Sequence, residues 1–295
     1  MNVKNIIAAT AKNGAYFLWS SAHYLDRDRD CPACGNNGYA VVDRKAIVTL
    51  LLECSSCGLR YRFPKGDVES DFAFYQNRYS EGFTTRCPSD TELDYLIQTR
   101  FSDTDKDFTA YIGVLKAMGL NEGATVLDFG SSWGYGSWQM RQAGYDVYSY
   151  EISGPRAQYA RDKLACKVVT ESDLNDLNAD AIFSSHVIEH LSDPNILWRI
   201  AKNVLNDNGR IILTTPNGDD EVKQIIGSQR YHQHWGRVHP LLFTTRALEK
   251  IASRYGFRCR VYASSYPYVF PLDAITKMAE KVQLGAELLL VGERV

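Results

Sequence analysis

The chain has 295 residues, enough for one domain of ordinary size and a smaller one beside it. With 45% hydrophobic and 23% charged residues it has the composition of a globular protein, and a formal net charge of −2 leaves no overall basic footprint for nucleic acid. No run of about 18 apolar residues is present, which argues against a membrane-spanning helix.

Residues 1–24 read as an N-terminal helical segment. Its apolar stretch, Asn5 to Tyr24, is interrupted by Lys12-Asn13-Gly14, which breaks the apolar core that a secretory signal needs. The stretch reads as a docked helix or two, with an interfacial membrane contact as the alternative, and a cytoplasmic location is expected. Residues 25–66 hold two Cys-x-x-Cys-Gly knuckles, Cys31-Pro32-Ala33-Cys34-Gly35 and Cys54-Ser55-Ser56-Cys57-Gly58, with 19 residues between them. Each knuckle sets two thiolates on one side of a tight turn, and two facing knuckles make a closed four-sulfur site for structural zinc. Between them, Tyr39 to Val42 and Ile47 to Leu52 read as a hairpin with Asp43-Arg44-Lys45 at its turn. The arrangement resembles a zinc ribbon. Its few basic side chains (Arg44, Lys45, Arg60, Arg62) favour a structural or substrate-facing role over nucleic-acid binding.

Residues 67–122 read as a helical linker. Phe72, Phe74, Tyr75, Tyr79 and Phe83, flanked by Arg78 and Arg86, form an aromatic cluster that either packs the linker or caps a site as a lid excluding water. Phe108 to Met118 has helical spacing of apolar residues, and Gly119 stops it.

The most informative stretch is Thr125-Val126-Leu127-Asp128-Phe129-Gly130-Ser131-Ser132-Trp133-Gly134. A short apolar run reads as a buried parallel strand, and the Gly-rich turn after it leads into a helix from Ser137 to Ala143. Strand, glycine turn and helix open a nucleotide-binding α/β sheet, with the ligand at the carboxyl ends of the strands. The spacing is Asp-x-Gly-x-x-x-Gly, so the dinucleotide fingerprint is not met, and no lysine follows to grip a phosphate. A ligand with a zwitterionic tail suits this turn better than a polyphosphate. Glu151 closes the next strand, Val147 to Tyr150, 23 residues after Asp128, where a carboxylate would take two ribose hydroxyls.

These residues resemble the cofactor site of the class I S-adenosylmethionine-dependent methyltransferases. The resemblance implies that Gly130 and Gly134 lie against the methionine part of the cofactor and that Glu151 binds ribose. It adds Asp128, Ser131, Trp133, Ile152 and Ser185 to the cofactor-binding set, and it gives Asp173 and Leu174 the adenine, with Asp176 as a competing acid. One departure is Ser132, where the family often has Gly. The implied fold is a Rossmann-like seven-stranded sheet over residues 123–295, with later strands at Lys167 to Thr170, Ala181 to Ser185, Arg210 to Thr215, 257–263 and 287–293.

Five of six histidines fall between residues 186 and 239. His186, Glu189 and His190 follow the fourth strand; His232, His234 and His239 belong to the loop after the fifth. So many titratable groups at the ligand-facing edge signal a site. Either a histidine acts as general base toward a substrate hydroxyl, or His186, Glu189, His190 and His239 hold a second divalent metal that acidifies it. The latter pattern resembles the Glu-x-x-Glu-His site, with a distant His, of small-RNA 3′-end and ubiquinone-pathway O-methyltransferases, except that His186 replaces the first Glu.

The sequence thus points to a methyltransferase using S-adenosylmethionine and structural zinc. Resemblance to zinc-ribbon enzymes of glycan and natural-product pathways implies a hydroxyl acceptor on a sugar, sugar conjugate or other small polar metabolite. Trp133, Tyr135 and Trp235 are candidates to stack on a sugar face, or simply to pack the core. An RNA or protein methyltransferase guided by the ribbon, and a non-catalytic cofactor-binding module, stay open.

Overall fold

The computed structural model describes residues 14, 17–26, 28–45, 47–66, 86–264, 269–277 and 285–295. The lid residues Phe72, Phe74, Tyr75, Tyr79 and Phe83, and most of the N-terminal segment, lie outside these.

The run Thr125–Phe129 becomes β4, near the centre of a seven-stranded sheet. Its other strands are β5 (Asp146–Tyr150), β6 (Lys167–Val169), β7 (Ala179–Ser185), β8 (Leu205–Pro216), β10 (Phe257–Ser264) and β11 (Glu287–Arg294). The spatial order is β10-β11-β8-β7-β4-β5-β6, and β11 alone runs antiparallel to its neighbours. Alternate side chains of a strand face opposite layers. Leu127 and Phe129 pack with Trp198, Ala201, Leu248 and Ile251, which belong to helices Asn195–Val204 and Thr245–Arg254. Val126 packs the other way, with Val114, Leu115 and Met140 of helices Thr109–Ala117 and Tyr135–Gln142. Burying each such large side chain is worth about 1.5–3 kcal/mol, which explains why strands covered on both faces read as continuous apolar runs. From β4 the chain adds β5 and β6 on one side and then crosses back to add β7 and β8 on the other, and the switch point between the parallel strands β4 and β7 opens a crevice at their carboxyl ends.

The smaller sheet is built from β1 (Tyr39–Lys45), β2 (Thr49–Cys54) and β3 (Arg60–Phe63), all antiparallel. The predicted turn at Asp43-Arg44-Lys45 is corrected. These residues continue β1 opposite Leu51, Leu50 and Thr49 after a register shift at Val41, and the chain turns beyond Lys45. They stay extended because Asp43 and Lys45 are engaged by residues 232–235, far along the chain. A fourth strand, β9 (Leu241–Leu242), comes from the larger domain and pairs with β3. The sheet therefore runs across the boundary drawn at residue 66.

Candidate active site

The turn after β4 is a sequence of left-handed residues, Gly130 at φ 82°, Ser132 at φ 53° and Gly134 at φ 88°. The amides of Gly130 and Ser131 donate to the Tyr150 carbonyl at 2.8 and 3.1 Å, tying the turn to the end of β5. Glu151 then accepts from the Ser132 amide at 2.9 Å and the Ser153 amide at 2.7 Å. Burial raises its pKa, against the pull of the Ser153 amide and Arg156. These groups border a cavity of about 340 Å³. Gly130, Ser132, Glu151 and Ile152 line its β4–β5 side; Phe108, Tyr111 and Tyr135 form aromatic wall.

Several residues assigned to the cofactor by resemblance sit elsewhere. Asp128 is buried and accepts from Ser137 Oγ at 2.5 Å; it braces the following helix and does not line the cavity. Burial, together with the charge of Glu151 and despite the Ser137 hydrogen bond, raises its pKa to about 7. Gly134 is required by packing, since a Cβ there would lie 2.8 Å from Ala160 Cβ and 2.9 Å from Cys166 Sγ. Trp133 is fully buried against Phe101, Tyr135 and Tyr159. Ser131 is buried behind the turn, its hydroxyl without a hydrogen-bond partner among the described residues. Leu174 joins the core, and exposed Asp173 accepts from the amide and hydroxyl of Thr170, capping its own turn. None of these lines the cavity. Trp235 is likewise buried, donating to Asp43 at 2.8 Å beneath Lys45, so neither tryptophan is placed to stack on a ligand.

Ser185, the last residue of β7, lines the cavity and donates to the Tyr111 hydroxyl at 3.2 Å. His186 follows at φ 54°, a left-handed conformation rare outside glycine, which turns residues 188–190 back over the crevice. Its Nδ1 lies 3.2 Å from Glu189 and its Nε2 3.5 Å from Glu287. Burial opposes a charge on this ring, but the two carboxylates outweigh it and hold its pKa at about 9. With one carboxylate near each nitrogen, His186 is biased toward its charged form and is a poorer proton acceptor than its neighbours. Glu189 is fully buried; burial would raise its pKa, yet His186 and His190 hold it at about 2. Thr215 Oγ1 donates to its other oxygen at 3.1 Å.

His190 and His239 complete this end. His190 Nδ1 donates to the Val238 carbonyl at 2.8 Å and His239 Nδ1 to the His234 carbonyl at 3.0 Å. The rings are 4.6 Å apart, and the ligand atoms of Glu189, His190 and His239 all lie within 4.8 Å of one another. Burial drives the His190 pKa down to about 4 even with Glu189 beside it, so that ring is neutral near pH 7. His186, Glu189, His190 and His239 line one cavity. His232 and His234 do not: His232 pairs with Asp43 of β1 at 2.8 Å, and His234 contributes only its carbonyl to the orientation of His239.

Sequence reasoning missed Tyr111, Arg156 and Glu287. Arg156 had a readable signal, because a cation in the first turn of helix Gly154–Leu164 opposes the helix dipole. Glu287 is an acid opening an otherwise apolar strand, Leu288 to Val291.

In the small sheet, Cys31 Sγ lies 3.6 Å from Cys57 Sγ and Cys34 Sγ 3.5 Å from Cys54 Sγ. These are far beyond a disulfide bond; Zn–S bonds of 2.3 Å in a tetrahedron imply S–S edges of about 3.8 Å. The donor set and spacing fit zinc.

A sequence family described as a methyltransferase domain matches residues 105–261. No curated protein matches the chain. Among solved structures, it is similar to the plantazolicin methyltransferase BpumL bound to a pentazolic desmethylPZN analogue and SAH, at 14% identity and a TM-score of 0.50, over 77% of this chain and 96% of that one. It is also similar to the magnesium protoporphyrin IX methyltransferase of Synechocystis with SAH, at 18% identity and TM-score 0.49, over 78% and 100% of the two chains. A TehB-like SAM-dependent methyltransferase of Corynebacterium glutamicum gives 16% identity and TM-score 0.47, over 70% and 97%.

Proposed function

The chain belongs to the methyltransferase-domain family, and on that premise we propose that it moves the methyl group of S-adenosylmethionine to a hydroxyl of a sugar or other small polar metabolite. The cofactor supplies an electrophilic methyl on a sulfonium. Glu151 would take the ribose hydroxyls and Ile152 would lie along the adenine, while Gly130 and Ser132 leave backbone open to the remainder. At the far end His190 or His239 would receive the hydroxyl proton on Nε2 as the acceptor oxygen bonds to the methyl carbon and the carbon–sulfur bond breaks, its electron pair staying on sulfur as S-adenosylhomocysteine. His186 would stay protonated, holding Glu189 in place.

The observation that carries this reading is the pair of imidazoles whose Nδ1–H groups are committed to backbone carbonyls, which fixes the tautomer that accepts at Nε2. A sugar acceptor is favoured by a cavity with aromatic walls and a polar end. The test is methyl transfer from labelled S-adenosylmethionine to a panel of nucleotide sugars. His239→Ala should lower kcat by about 10²–10⁴-fold, the usual contribution of a general base, with S-adenosylhomocysteine affinity unchanged. Unaltered kcat would dismiss His239 as the base.

A second reading has one observation behind it: the convergence of Glu189, His190 and His239 within 4.8 Å also suits a divalent ion. Carbonyl-oriented imidazoles are the usual outer-shell arrangement of such sites. There the ion would lower the hydroxyl pKa. Metal analysis separates the two, since zinc in Cys31, Cys34, Cys54 and Cys57 alone gives one ion per chain and this reading gives two.

A further inference from the structure

Arginine is seldom fully buried unless paired, yet Arg60 and Arg62 on β3 are only 3% and 5% exposed. Both reach out of the small sheet and into the segment that carries His239. Arg60 Nη1 donates to the Gly218 carbonyl at 2.6 Å and to the Tyr231 hydroxyl, while its other nitrogens pair with Glu53 at 2.7 Å and Asp220 at 3.1 Å. Arg62 Nη1 donates to the carbonyls of Gly236 at 3.4 Å and Arg237 at 3.3 Å, and the Arg62 backbone amide donates to Pro240 at 2.7 Å. Asp43 holds His232 and Trp235 from β1, and Lys45 donates to the Trp235 carbonyl.

His239 lies inside this frame. Its carbonyl accepts from the Gly236 amide at 2.9 Å, its ring donates to the His234 carbonyl, and its next neighbour, Pro240, is fixed by Arg62. From these contacts we infer that the cysteine-built sheet braces, from behind, the segment that closes the acceptor end of the active site, with Arg62 as the positioning residue that holds His239 toward the cavity. The ribbon is then a part of the catalytic apparatus and not a detachable module. This rests on the reading of His239 as a group that serves the acceptor.

The guanidinium donates from Nη1 to the Gly236 and Arg237 carbonyls and from Nε to the Pro64 carbonyl at 3.0 Å; a lysine ammonium is a single point charge and cannot hold both sides at once. Arg62→Met and Arg62→Lys are made in the full chain, and two properties are measured. Long-range ¹H–¹⁵N NMR of the histidine rings at alkaline pH, with His239 assigned by its loss in His239→Gln, reports the tautomer. Calorimetry reports S-adenosylhomocysteine affinity. Native protein should give a His239 ring protonated at Nδ1. Arg62→Met should give averaged nitrogen shifts from mixed tautomers, Arg62→Lys an intermediate pattern, and both variants should bind S-adenosylhomocysteine within about twofold of native. A native His239 pattern in folded Arg62→Met overturns the inference. Should that variant fail to fold, a native pattern in Arg62→Lys does so instead. Failure of the native chain to bind S-adenosylhomocysteine would remove the proposed function and leave the tautomer comparison standing.

Discussion

Asp128 and Glu151 are two acids at neighbouring strand ends with different tasks. Asp128 is turned inward to Ser137 and shielded from solvent; Glu151 lines the cavity with its carboxylate gathered by two amides. The inward acid has a consequence for pH. Its pKa of about 7 in the fold lies above the ordinary value near 3.8, so between those values the folded chain keeps a proton that the unfolded chain has lost. Stability contributed by this group is therefore complete below about pH 4 and falls as pH rises toward 7. Asp128→Asn, neutral at every pH, should flatten that fall, and thermal unfolding of both proteins across pH 4–7 checks it. Parallel curves would mean that Asp128 titrates normally.

At the scale of elements, the glycine turn is the feature most exposed to small changes. An alanine at Gly130 would place its Cβ 2.3 Å from Val187 Cγ2 at φ 82°. Gly130→Ala should destabilise the fold by about 1–3 kcal/mol, the range for overpacking and left-handed strain, and denaturant unfolding measures it. An equally stable variant would show that the turn can shift freely. The small sheet depends on its cysteines in the same local way. Cys57→Ser should reduce bound zinc from one per chain to near zero and lower the unfolding midpoint, as metal affinity in such modules is folding energy. Zinc retained at full stoichiometry would point to another site.

The same scale shows what could be read from sequence. β4, β5, β7 and β8 were legible because strands buried on both faces are apolar runs that end in turn residues. The cysteine knuckles were legible because spacing alone fixes four thiolates. β9 was not, for Leu241-Leu242 is two residues long, and only pairing with Arg60 and Tyr61 makes it a strand. Nor was the division of the histidines: nearness in sequence groups His232 and His234 with His239, whereas folding sends His232 to Asp43 and turns His239 into the cavity. Trp133, Asp173 and Leu174 were placed by resemblance, which carries a position along the chain but not the direction of a side chain.

At the scale of the whole molecule, the small sheet braces part of a site built on the large one. Residues at the carboxyl ends of the large sheet line the cavity, Glu151 and Glu189 among them; the cysteine-built sheet, through β3 and β9, braces the segment bearing His239. Among the described residues no helix is long and apolar enough to cross a membrane. The most direct test of this arrangement is calorimetric titration of S-adenosylhomocysteine into the native chain and into Glu151→Ala. One-to-one binding to the native chain, weakened about ten- to a hundredfold by loss of the charged hydrogen bonds, is the predicted result. No binding to the native chain, or equal affinity in both proteins, would contradict a cofactor held at Glu151.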